Sequence, residues 1–209
     1  MGIVTNCCPL PAVIPDITDP DCAVHWGQVI KMAFQKPDQN SFADITALQT
    51  LATWTALLAA NDDTKMQVTP VFSGLVFPIS EPILEGENTN DVIGGIADLN
   101  GLTTLQLTAQ IKGLTDDIAL ELANYTCFTL NELGSSNLVV YFFTQDGKIL
   151  HNDLAGFEIF NFCISANSSE GFGAKNIHQI SFQFRGDWSY NKQEAILTDS
   201  PNFNPITDL

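Results

Sequence analysis

The sequence predicts a mainly β protein of the α+β class: a β-sandwich or barrel with one long helix packed on it and extended N- and C-terminal arms. Three observations predict it. Short apolar segments, several strictly alternating, recur from residue 66 to residue 186 with Gly, Asn and Asp clusters between them. A long stretch of helical period occurs at one place, near residues 43–60. Both ends are punctuated by proline: Pro9, Pro11, Pro15 and Pro20 near the start, Pro201 and Pro205 near the end.

Taken in order, residues 1–25 read as an extended arm. Proline fixes φ and removes a backbone donor, and Asp16, Asp19 and Asp21 lie between the prolines, so a packed element is disfavoured. The arm's apolar members Ile3, Val4, Leu10, Val13 and Ile14 then need a surface to lie on, which points to a neighbouring subunit. A β-rich core is expected over residues 26–198. It opens with VIKMAFQK, where Ile30, Met32 and Phe34 alternate with Lys31, Ala33 and Gln35 as in a half-buried strand.

The period then changes. Phe42, Ile45, Leu48, Leu51, Leu58 and Trp54 or Thr55 recur at three- and four-residue steps, Ser41 with Asp44 resembles a capping box, and Asn61, Asp62 and Asp63 supply a stop. These features predict one helix over about 43–60. Strands are expected next at MQVTPVF (66–72), GLVFPI (74–79) and TTLQLTAQI (103–111), with a long polar loop at 85–101. A shorter helix is predicted over 115–124, with Thr115 at its cap and Asp116 and Asp117 complementing the helix dipole. The remaining strands are NLVVYFFT (137–144), GFEIFNFCIS (156–165) and NIHQISFQFRG (176–186); Asp146-Gly147 marks a hairpin, and 166–176 is a second polar loop. Residues 199–209 read as a C-terminal tail.

Charge narrows the function. The chain of 209 residues is 45% hydrophobic with 14 Phe, enough for a sizeable core, yet carries 24 acidic residues against eight cations, a net charge of -16. Arg185 is its one arginine, and the lysines are scattered at 31, 36, 65, 112, 148, 175 and 192. Such a chain repels nucleic acid and anionic membranes, so no specific nucleic-acid binding is expected. No apolar run approaches the length of a membrane span, and MGIVTNCCPL has neither the basic stretch nor the apolar run of a secretory signal.

Catalytic and metal chemistry find little support. The nucleophile elbow, the phosphate-cradling loop and the H-E-x-x-H pattern are absent, and His25, His151 and His178 are the only histidines. Cys127 and Cys163 lie in apolar strand-like runs and read as buried small hydrophobes; Cys7, Cys8 and Cys22 share the N-terminal segment, where His25 is the only nearby fourth zinc ligand. Glu85, Glu87, Asp91 and Asp98 supply oxygen ligands in the first long loop without EF-hand spacing, so solvated charge explains them. No cofactor and no catalytic residue is therefore assigned. Two weaker alternatives remain: a carbohydrate- or small-ligand-binding β-sandwich presenting Trp188, Tyr190 or Phe172, and a hydrolase pairing Glu158 with Asp153 or Asp187.

The order of elements, together with CAVHWGQVIKMAFQK (22–36), WTALLAANDDTKMQVTP (54–70) and GDWS (186–189), resembles bacteriophage virion structural proteins of the tail-tube and ring-forming type. These segments cover about a fifth of the chain, and none is a mechanistic signature. The resemblance implies a non-enzymatic protein of the virion that assembles with copies of itself and other virion proteins into rings or a tube. It also implies interface residues: Ile3, Val4, Leu10, Val13 and Ile14 against a neighbour, and the loop bearing Glu85, Glu87, Asp91 and Asp98 between stacked rings. An acidic lumen would let DNA pass without adhering. The long Pro-rich arm departs from the compact tube pattern and leaves connector and capsid roles open.

Overall fold

The computed structural model describes residues 29–37, 42–86, 97–124, 138–168, 175–189, 192–196 and 203–209. The expected N-terminal arm, with Ile3, Val4, Leu10, Val13 and Ile14, lies outside them, as do Ser41, Glu87, Asp91, Cys7, Cys8, Cys22, His25 and Cys127.

Among the described residues ten strands and three helices follow one another as β1 (Val29–Gln35), α1 (Ile45–Leu48), α2 (Leu51–Ala59), β2 (Gln67–Val68), β3 (Pro82–Glu85), β4 (Asp98–Leu102), β5 (Leu105–Lys112), α3 (Asp116–Ala123), β6 (Leu138–Thr144), β7 (Lys148–Asn152), β8 (Phe157–Ile164), β9 (Ile177–Phe184) and β10 (Lys192–Ile196). The expected mainly β fold with few helices is what forms. All the pairings are antiparallel.

Strand β6 is the hub. One edge pairs with β1 from Val139 to Thr144, while the other is shared, β8 taking Leu138–Val140 and β7 taking Phe142 and Phe143. From β8 the sheet continues through β9 to β5, and from β7 it ends at β10. Residues 69–73 close the remaining gap. Thr69 and Phe72 donate their amides to Met32 and Ile30 of β1 at 2.8 and 2.9 Å, and Ser73 exchanges two 2.9 Å bonds with Gln110 of β5. The circuit is therefore a barrel closed by a strap, which covers edges that would otherwise invite aggregation.

Period-two alternation sorts the side chains. Leu105, Leu107, Ala109 and Ile111 of β5 point inward beside Ile180, Phe182 and Phe184 of β9, giving a first apolar cluster inside the barrel. Strands β1 and β6 are buried on both faces: Met32, Phe34, Leu138, Val140 and Phe142 join this cluster, whereas Ala33, Tyr141 and Phe143 join a second one outside it. That second cluster is covered by α1, α2 and the chain's last residues.

The expected single helix over 43–60 is instead two. Asp44 caps α1 by accepting from the Ala47 amide at 2.7 Å, Gln49 ends it, and Thr50 restarts α2 from an extended conformation. The break has a use: the Leu48 carbonyl, freed at the end of α1, accepts the indole N–H of fully buried Trp54 at 2.6 Å. Trp54 then meets Phe42, Tyr141 and Phe143 at centroid distances of 5.0, 5.5 and 5.4 Å.

Three other expectations change. Residues 74–79 form no strand; Pro70 and Pro78 flank a strap that crosses from β1 to β5, and Val76 and Ile79 stay exposed. The polar loop at 85–101 contains strand, because Asp98–Leu102 pairs with Pro82–Glu85 in a two-stranded ribbon apart from the main sheet. Residues 203–209, expected in an extended tail, turn back onto the second cluster. Phe203 is buried there, Asn204 and Asp208 cross-link the turn, and Lys31, itself 7% exposed, donates to the Ile206 carbonyl at 3.0 Å.

Two turns follow the sequence closely. Gly147 takes the positive φ of the β6–β7 hairpin, and Thr115 precedes α3, although its side chain makes no cap bond. A less expected turn joins β7 to β8: Asp153 and Leu154 both adopt positive φ, and Asn152 and Ala155 exchange bonds of 2.8 and 2.9 Å across it.

Candidate functional site

Two surfaces bear on function, and they meet at one turn. The first is the β3–β4 ribbon. At its far end Glu85 and Asp98 are cross-strand partners, so two of the four predicted loop acids sit together; Glu85 accepts a hydrogen bond from the Asn100 side chain. Ile83, Leu84 and Leu99 are 44%, 52% and 66% exposed on the same ribbon. Among the described residues no three His, Cys, Asp or Glu side chains converge as a metal site would require.

The ribbon's base is fastened to the turn that follows β9. Thr103 donates its amide to the Glu81 carbonyl and accepts from the Glu81 amide through its hydroxyl, both at 2.9 Å, and the Ser80 hydroxyl donates to the Gly186 carbonyl at 3.2 Å. Gly186 is required here. A Cβ at that position would stand 2.4 Å from the Leu102 Cβ and 2.9 Å from two carbonyl oxygens, so only glycine lets the turn lie against the end of β4.

The same turn walls the second surface, an open cleft of about 240 Å³ lined by Asn152, Glu158, Phe160, Arg185, Asp187 and Trp188. A second hollow of about 220 Å³ adjoins it through Phe160 and Arg185 and adds Thr104, Asn161 and Gln183. The Arg185 guanidinium lies 5.0 Å above the Phe160 ring. Its side chain makes no hydrogen bond or ion pair among the described residues, where the salt bridge is Lys36 to Asp63.

Sequence reasoning saw parts of this cleft but not the whole. Glu158 and Asp187, weighed as an acid pair, do line it; Asp153 lies outside, on the β7–β8 turn. Trp188, the expected stacking platform, lines the cleft and also stacks on neighbouring rings: Phe184 at 4.6 Å and 10°, and Phe77 at 5.6 Å and 19°. These contacts anchor the turn on the first apolar cluster. Tyr190 and Phe172 lie outside the described residues. Arg185 itself was passed over as an isolated cation; its singularity in the chain was the available signal.

The two described histidines, His151 and His178, are structural. His151 is 1% exposed, and its Nδ1 accepts the Leu154 amide at 3.0 Å, which helps hold Leu154 in the left-handed conformation that a leucine adopts only at a cost of about 1–2 kcal/mol. Burial pushes the imidazole pKa below its usual value, with Asp153 opposing the shift. His178 is buried in β9 with Nδ1 3.2 Å from the Ser165 carbonyl, and the Nε2 atoms of both rings have no hydrogen-bond partner among the described residues. Neither ring lines the cleft. Cys163 is half-buried in β8 with a free thiol. No described helix is long and apolar enough to cross a membrane. No protein-family model, characterised protein or solved structure matches this chain.

Proposed function

We propose that this protein is a non-enzymatic structural subunit that assembles with copies of itself, as a component of a bacteriophage virion of the ring- or tube-forming type. The observation that carries the assembly reading is the β3–β4 ribbon. A two-stranded ribbon alone is marginally stable in water, and this one leaves Ile83, Leu84 and Leu99 exposed with backbone edges unpaired by the main sheet. A second copy would cover that apolar surface and pair with an edge. The phage assignment rests on the sequence resemblance, and the net charge of -16 fits a wall along which DNA slides without adhering.

Light scattering and negative-stain microscopy across protein concentration test the reading. Rings or tubes are expected from the full chain and should weaken when residues 1–25 are removed or when Leu84 and Leu99 are both replaced by Ser. A monomer of about 23 kDa at every concentration, with mass computed from the sequence as 22.8 kDa, would overturn it.

A further inference from the structure

The Arg185 cleft has a composition that assembly does not use. Its groups are one cation, two carboxylates and amides: Arg185, Glu158, Asp187 and Asn152, with Asn161 and Gln183 in the adjoining hollow. In a chain of 24 acids, the one guanidinium has no hydrogen bond or ion pair among the described residues, although two carboxylates line the same cleft. It lies over the Phe160 ring instead, and it lines both hollows.

The setting is rigid. Trp188 stacks with Phe77 and Phe184, Gly186 is pressed on Leu102, and the β8 bulge puts Asn161 at a φ of 53°, where its side chain bonds Gln183 at 2.7 Å. Bulges and left-handed non-glycine residues of this kind re-aim side chains at functional edges. The two hollows of 240 and 220 Å³ together reach the size range of small-molecule sites.

Charge selects among ligands. An anion would meet Glu158 and Asp187 and the field of an acidic chain, whereas a cation would meet Arg185. A neutral molecule with adjacent hydroxyls suits both: each hydroxyl accepts from the guanidinium or an amide and donates to a carboxylate.

We propose that the cleft between the β7–β8 turn and the Arg185–Trp188 turn is a binding site for a neutral saccharide, with Arg185, Asp187 and Glu158 as its hydrogen-bonding residues. The site is independent of the assembly reading. A printed array of neutral, sialylated and sulfated glycans, with hits re-measured by saturation-transfer NMR on the free oligosaccharide, tests it. Neutral glycans are expected to bind, and Arg185→Met and Asp187→Asn should each weaken binding about tenfold or more, since each removes charge-assisted bonds. Both positions are exposed, so the variants should melt with the native protein. No neutral glycan bound, retention confined to sialylated or sulfated glycans, competition by phosphate at constant ionic strength, or unchanged affinity in both variants would each overturn the proposal.

Discussion

Two antiparallel pairs in this protein, β1 with β6 and β3 with β4, both carry large apolar residues and meet opposite fates. In β6 every residue from Leu138 to Thr144 is buried, and β1 is nearly the same; in β3 every residue from Pro82 to Glu85 is exposed. The difference lies in what covers each face. The β1–β6 pair has the barrel interior on one side and α1, α2 and the C-terminal turn on the other, whereas among the described residues the ribbon is held at its base, through Ser80 and Thr103. Burial of a large apolar side chain contributes about 1.5–3 kcal/mol, so the first pair carries the stability of the fold and the second leaves that free energy available to a partner.

The sharpest way to break the contrast is to empty the covered side. Trp54→Ala removes the ring that Phe42, Tyr141 and Phe143 pack against, and it orphans the Leu48 carbonyl; we expect a loss of about 3–5 kcal/mol by chemical denaturation. A loss below 1 kcal/mol would mean that the helix layer contributes little to the fold.

Next in size is the junction between the two regions. Gly186→Val would drive its side chain into Leu102 and should cost about 1–3 kcal/mol while tilting the ribbon base, which urea denaturation and hydrogen exchange at Thr103 would record. Unchanged exchange there would show that the ribbon is not fastened at Gly186.

A smaller effect follows from His151, buried on the covered face. Its folded-state pKa is depressed by burial, so on acidification the unfolded chain takes up the proton first. Its contribution to stability is whole above the usual histidine value near 6.5 and declines as pH falls from there toward the folded-state pKa. Denaturation midpoints at pH 7.5 and 5.5 should differ less in His151→Gln than in the native protein, once the background from the acidic groups is subtracted through the variant. An identical difference in the two would remove His151 from the account.

The smallest effect on the monomer is expected at the ribbon. Leu84→Ser with Leu99→Ser should change monomer stability by about 0.5 kcal/mol or less, because both side chains are exposed already, while self-association falls measurably in light scattering. A large loss of monomer stability would place those leucines in a folded contact and erase the comparison.

Much of the fold was legible because it is local. Alternation in 103–111 forecast β5, Asp146-Gly147 forecast the hairpin, and Thr115 with two aspartates forecast α3. Less legible was the break at Gln49–Thr50, since the apolar period continues through it and the reason for it is the indole of Trp54 reaching the Leu48 carbonyl. Of the proposed interface residues, Glu85 and Asp98 emerged as neighbours only once the ribbon formed. The Arg185 cleft was still less visible, its walls coming from β7, β8 and the turn after β9, which no spacing in the chain connects.

By itself the sequence determined the β-rich class, the acidic surface, the positions of most strands and the turns that glycine and aspartate enforce, because these follow from side-chain period, charge and local φ preference. Only the tertiary structure decided which apolar segments would be covered. Residues 69–73 became a strap that closes the barrel, residues 203–209 folded onto the helix side and the β3–β4 ribbon stayed bare, because burial depends on which distant faces meet, and period alone does not encode that meeting.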